Sequence, residues 1–90
     1  MRVIYKRTAV KDMEATRDYI AGRLKNPKAA KKLMTALLKA ISLLADNPYM
    51  GMIPRHTVLR NKNYRMLIIN KNIILYRVFD DEKEVRIYNI

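Results

Sequence analysis

The sequence predicts an α+β fold of two layers in the order β-α-α-β-β-β, with a helix hairpin packed on one face of a mainly antiparallel sheet. Three observations carry that prediction. Ala30, Leu33, Met34, Leu37, Leu38, Ile41, Leu44 and Ala45 recur at helical spacing in the middle of the chain. Three runs rich in β-branched and aromatic residues fill the last third, separated by Asn70-Lys71-Asn72 and by Asp80-Asp81-Glu82-Lys83. Two Asn-Pro pairs, Asn26-Pro27 and Asn47-Pro48, mark where the central helix starts and stops.

Each element follows from local pattern. Residues 2–6 alternate Arg2, Ile4, Lys6 against Val3 and Tyr5, which suits a short strand. Thr8 offers an N-cap hydroxyl, and Val10, Met13, Ile20 and Leu24 form one face of a first helix over about 8–25. Asn26 caps the second helix, whose wet side carries Lys28, Lys31, Lys32 and Lys39 and which ends near Asp46. The short connection at Asn26 makes the two helices an antiparallel hairpin. Both Leu37 and Leu38 are expected in the core. Residues 48–63 read as a loop, with a short strand at His56–Arg60 allowed within it. Strands over about 64–70, 73–79 and 84–90 complete the chain.

Ninety residues suit a single domain over 1–90. Without cysteine there is neither a disulfide framework nor a thiolate metal site, and His56 alone cannot hold zinc. No Gly-rich phosphate loop, paired-carboxylate site or Ser/His/Asp set stands out, so neither a cofactor nor a metal is expected. The N-terminus is too short and too charged for a signal peptide, and no apolar run spans a bilayer, so the expected location is cytoplasmic, with no membrane partner. The net charge of +11, from 19 basic and 8 acidic residues, points to a polyanionic or acidic partner.

Charge and grease coincide on the sheet. From Asn47 to Phe79 the chain carries six basic residues and no acidic one. Given a three-residue first turn and a four-residue second turn, opposed residues share a face, and Arg65, Arg77 and Arg86 lie side by side. Leu67, Ile69, Ile73, Leu75, Phe79, Tyr88 and Ile90 fall on that same face. The other face, fit to sit under the helices, then holds Met66, Ile68, Ile74, Tyr76, Val78, Val85 and Ile87. A two-residue turn at Lys71-Asn72 would instead separate Arg65 from Arg77. An apolar arginine face of this size calls for a cover, so Leu67, Ile69, Leu75, Phe79 and Ile90 are candidate partner-binding residues.

The order of elements, the helix ending Leu44-Ala45-Asp46-Asn47-Pro48, the glycine-containing loop and the strands Tyr64–Ile69, Ile74–Val78 and Val85–Tyr88 together resemble the RelE/ParE superfamily, the toxins of bacterial type II toxin–antitoxin pairs. The resemblance implies a small basic toxin held inactive by a cognate antitoxin that wraps it with a helix or strand. RelE-like members cut messenger RNA on the ribosome, whereas ParE-like members inhibit DNA gyrase without being nucleases. Arg65 matches a basic position of the RNA-cutting branch, but Leu67 and Ile73 stand where that branch carries a lysine and a catalytic arginine. The sequence ends at Ile90, where the family usually continues with a Gly-Arg-Arg-Asp-Tyr-like tail. If the chain cuts RNA, catalysis rests on Arg65, Arg77 and Tyr88. The departures fit a ParE-like member, a chemically weakened one or a shortened chain. The basic charge instead favours ribosome binding and RNA cleavage, so the target stays open between the ribosome with its messenger RNA and DNA gyrase.

For binding, Arg55, Arg60, Lys62, Arg65, Arg77 and Arg86 are the candidate nucleic-acid contacts, since guanidinium groups grip phosphate bidentately. The plainer reading is a solvated face whose arginine stems cover apolar surface. His56 is the one imidazole available as a general base, and Tyr64 and Tyr88 are candidates for stacking on a base. The Asp80–Glu84 acidic turn reads as solvated. The competing functional class is a non-toxic basic module that binds nucleic acid on its sheet.

Overall fold

A computed structural model describes residues 1–90. Strand β1 (Arg2–Tyr5) leads into helix α1 (Arg7–Asp18), which continues as a π-helical turn at Tyr19–Arg23. Helix α2 (Pro27–Ser42) starts on Asn26, whose side-chain Oδ1 accepts from the Ala29 N–H at 3.1 Å. Pro27 occupies the first turn, where its missing N–H costs nothing. A 3₁₀ turn at Leu43–Ala45 ends α2 ahead of Pro48. The short helix α3 (Thr57–Asn61) stands where a strand at His56–Arg60 was allowed. Its backbone instead closes helical bonds, from the Arg60 N–H to the His56 carbonyl at 2.9 Å and from the Lys62 N–H to that of Val58 at 3.1 Å.

Strands β2 (Tyr64–Ile69), β3 (Asn72–Phe79) and β4 (Glu84–Asn89) form an antiparallel meander. Strand β1 adds to it in parallel beside β4, giving the order β1-β4-β3-β2. Thr8 does not cap α1, because Lys6 holds the N-cap position; the Thr8 hydroxyl donates instead to the Tyr88 carbonyl and ties the helix to β4.

The core lies between the helices and one face of the sheet. Ala9, Leu37, Ile41 and Leu44 from the helical layer meet Ile74, Tyr76, Val85 and Ile87, all fully buried. Leu38 departs from its expected place: it is 47% exposed and borders a groove of about 510 Å³ beside Val10, Met13 and Met34. Leu37 and Leu38 are adjacent, so the roughly 100° step per helical residue turns one inward and the other to the rim. No helix is long and apolar enough to cross a membrane.

The first hairpin corrects the expected register. Its turn has two residues, Asn70 and Lys71, with φ of 49° and 70°, the left-handed pair that matches the twist of two-residue hairpins. Ile69 therefore opposes Asn72, and Arg65 opposes Tyr76 rather than Arg77. One step of slip sends every side chain of β2 to the other face. Arg65, Leu67 and Ile69 lie on the helix side, where Leu67 and Ile69 pack against the core together with Ile90. Tyr64, Met66 and Ile68 lie on the side without helices. The second hairpin keeps the expected register, Phe79 opposite Glu84 and Arg77 opposite Arg86, with a bulge at Leu75/Tyr76.

Candidate functional site: an open cationic sheet face and a pinned loop

The face without helices is built by alternation from all four strands. It presents Ile4 and Arg2 from β1, Glu84, Arg86 and Tyr88 from β4, Arg77, Leu75 and Phe79 from β3, and Tyr64, Met66 and Ile68 from β2. Ile68 is 54% exposed and Ile73 is 52% exposed, so apolar surface at the hairpin end stays in water. The guanidinium carbons of Arg77 and Arg86 stand 4.9 and 3.8 Å from the centre of the Phe79 ring. Arg77 also reaches the Tyr64 ring at 5.6 Å, and Tyr64 meets Tyr88 edge to face at 5.5 Å. Attraction between cation and ring holds these arginines close to the sheet.

The face is less purely cationic than expected. Glu84 belongs to it, bridging Arg86 at 3.0 Å and Arg2 at 2.5 Å. Its hydrogen bond from Arg86 comes first among the causes that hold its carboxyl below the ordinary 4.5. Arg86 is raised in turn, chiefly by the same bond. A carboxyl depressed on folding stabilises the fold above its unfolded-state pKa, and that contribution disappears as pH falls through the folded-state value. Glu84→Gln should therefore lose stability relative to the parent at neutral pH, with the gap closing below about pH 4. Chemical denaturation of both proteins across pH 3–7 measures it; a gap independent of pH would refute the linkage. Arg77 makes no ion pair.

Arg65 has a different role from the one its sequence suggests. From the helix side of β2 it donates to the backbone carbonyls of Tyr49 at 3.1 Å and Gly51 at 3.0 Å, and lies 4.9 Å from the Tyr49 ring centre. The Tyr49 hydroxyl donates to Asp80, a bond that pushes its pKa up. Tyr76, buried beneath, donates from its hydroxyl to the Pro48 carbonyl and accepts from the Gly51 N–H, both at 2.9 Å. Burial is the main cause raising the Tyr76 pKa. Met52 pairs with Met66 through two backbone bonds, extending the sheet by one bridge. Together these contacts fix the loop after α2.

The sequence-predicted residues thus divide into three groups. Arg77, Arg86, Tyr88, Leu75 and Phe79 share the open face. Arg65, Leu67, Ile69 and Ile90 do not: Arg65 braces a loop, and the other three cover the core side. Arg55, Arg60 and Lys62 are exposed on the loop and α3, as is His56, which precedes α3 and makes no side-chain cap. The proposed catalytic trio of Arg65, Arg77 and Tyr88 is split across the two faces of the sheet. Sequence reasoning missed Glu84 and Arg2 on the open face and the bracing by Tyr49, Gly51 and Asp80. The four-residue second turn was a signal for Glu84, because it sets Glu84 opposite Phe79 and two residues before Arg86. The loop contacts have no periodic signature.

A family model for the ParE toxin of the type II toxin–antitoxin system parDE matches residues 3–90. Among solved structures, one from a chromosomal ParDE toxin–antitoxin system of P. aeruginosa superposes with a TM-score of 0.78. It is 22% identical, with 100% of this chain and 92% of that chain covered, a likeness that speaks for the fold. No curated protein matches. With the family model spanning nearly the whole chain, the protein belongs to the ParE toxin family of type II toxin–antitoxin systems.

Proposed function

We propose that this toxin arrests growth in the cytoplasm by inhibiting DNA gyrase, without cutting RNA, and that a cognate antitoxin neutralises it by covering the open sheet face. The observation that carries the first half is the division of Arg65 from Arg77 and Tyr88 across the sheet. Cleavage of RNA needs a base for the 2′-hydroxyl, an acid for the leaving oxygen and cations at the phosphate, all within bonding reach of one phosphodiester. Arg65 is committed to two backbone carbonyls, and His56 makes no side-chain hydrogen bond that would orient it as a base. The second half is supported by the exposed Ile68 and Ile73 on the same face as Arg77, a surface suited to an apolar segment carrying acidic residues. The ParDE assembly of the structural neighbour is consistent with such a partner.

The test uses purified toxin in two assays. In a gyrase supercoiling reaction the plasmid should remain relaxed in a dose-dependent way. In a translating extract, primer extension should find messenger RNA intact. Ribosome-dependent cuts with supercoiling unaffected would overturn the proposal in favour of the RNA-cutting branch.

A further inference from the structure

We propose that the segment Tyr49–Lys62 is a preformed docking surface for an acidic protein, the target that the toxin inhibits; this inference rests on the protein-target reading above. The segment concentrates exposed apolar side chains to a degree that solvent alone does not explain. Tyr49, Met50, Met52, Ile53 and Val58 are each roughly half exposed. Single exposed apolar residues are ordinary, whereas a cluster framed by charge marks an interaction site. The frame here is basic: Arg55, Arg60 and Lys62 are exposed, and no acidic residue occurs between Asp46 and Asp80.

Exposure in this segment is built in. Gly51 and Pro54 are buried and alternate with the exposed residues around them. Arg65 and Tyr76 grip the backbone of Pro48, Tyr49 and Gly51 from beneath, and Met52 is paired to β2. The apolar side chains are therefore presented by a fixed backbone, which lowers the ordering cost of binding to a folded surface. A pocket of about 460 Å³ opens beside them, lined by Tyr49, Ile53, Arg60, Tyr64, Arg65 and Asp80 among others. Its walls are aromatic and aliphatic, and the guanidinium groups of Arg60 and Arg65 outnumber the Asp80 carboxylate, which the Tyr49 hydroxyl already engages; this is the chemistry for an apolar side chain next to a carboxylate. Methionines add adaptable contact area, which suits a protein better than a phosphate backbone. The open sheet face remains for the antitoxin; Tyr64 borders both surfaces, but Met50, Ile53, Arg55, Val58 and Arg60 lie outside that face, so the two can be separated by mutation.

Two variants test this: Met50→Ser with Ile53→Ser and Val58→Ser, which removes grease, and Arg55→Glu with Arg60→Glu, which reverses charge. Lys31→Glu with Lys32→Glu, on the exposed side of α2, controls for net charge. The readouts are growth arrest at matched soluble expression, the concentration for half-inhibition of gyrase supercoiling, thermal melting, and anisotropy of a labelled DNA duplex and a labelled RNA. Both loop variants should need about tenfold or more protein for half-inhibition and should relieve arrest, with melting close to the parent and the lysine variant fully potent. Where the triple variant fails to fold, Ile53→Ser alone supplies the apolar arm. Full potency of the loop variants in both readouts overturns the inference, as does equal loss in the lysine variant. An unchanged apolar variant with the charge variant losing duplex or RNA affinity assigns the surface to nucleic acid and overturns it too. If the parent arrests growth but leaves gyrase untouched, the gyrase proposal fails, and the growth readout still decides the docking surface.

Discussion

Leu37→Ala is expected to destabilise the protein by about 2–5 kcal/mol, while Leu38→Ala, one residue along, costs about 1 kcal/mol or less. The contrast comes from direction alone. Leu37 is fully buried among Ile41, Leu44 and the sheet residues Ile74, Tyr76 and Val85, so truncation removes its transfer energy and leaves a cavity the two layers cannot close. Leu38 is about half in water at the rim of the groove and surrenders little on truncation. For a domain of this size a loss of 2–5 kcal/mol is a large part of the total stability, so the Leu37 variant should melt many degrees lower. Urea denaturation of both variants measures the pair. Equal midpoints would show that helix α2 is rotated from the orientation described here.

The same two residues show what the sequence could and could not reveal. The stripe on α2 and the 3₁₀ turn that ends it was legible because eight apolar residues at helical spacing leave few alternatives, but a stripe this wide does not say which edge lies inward. The hairpin at Asp80–Lys83 was legible as far as Tyr76, since its four-residue turn fixes Arg77 against Arg86, while the bulge at Leu75/Tyr76 left no signal in the sequence. The hairpin at Asn70–Asn72 was not. Three consecutive residues there suit a turn, and only the backbone decides that Asn70 and Lys71 take the positive φ values. That choice moved Arg65, Leu67 and Ile69 to the core side and exchanged them for Tyr64, Met66 and Ile68. The family and its fold survived the slip because they rest on element order, whereas the site depends on parity. Loop contacts such as Arg65 to the Tyr49 and Gly51 carbonyls join residues with no shared period, and no pattern along the chain announces them.

Gly51→Ala should destabilise by about 3 kcal/mol, the upper end of what one methyl forced into a packed site costs. Backbone conformation is not the reason, because no glycine here has positive φ. Space is. A Cβ at Gly51 would stand 2.4 Å from the Tyr76 hydroxyl, 2.7 Å from its Cε1 and 2.9 Å from the Met66 carbonyl. Tyr76 is fully buried and Met66 is backbone, so neither can step aside without opening the sheet edge. Tyr76→Phe takes away one of the three obstructing atoms but also strands the Gly51 N–H and the Pro48 carbonyl, at a cost of about 1–3 kcal/mol. In Gly51→Ala with Tyr76→Phe the worst clash, with the Tyr76 hydroxyl, is absent, so the added methyl costs less there than in the parent. The double variant should therefore be more stable than the sum of the singles by about 1 kcal/mol or more. Strict additivity in a urea double-mutant cycle would mean that the hydroxyl does not brace the loop. Because the same brace presents Met50, Met52 and Ile53 on the proposed docking surface, Gly51→Ala at a temperature where it remains folded should also weaken the proposed inhibition of supercoiling, although none of the exposed side chains has changed.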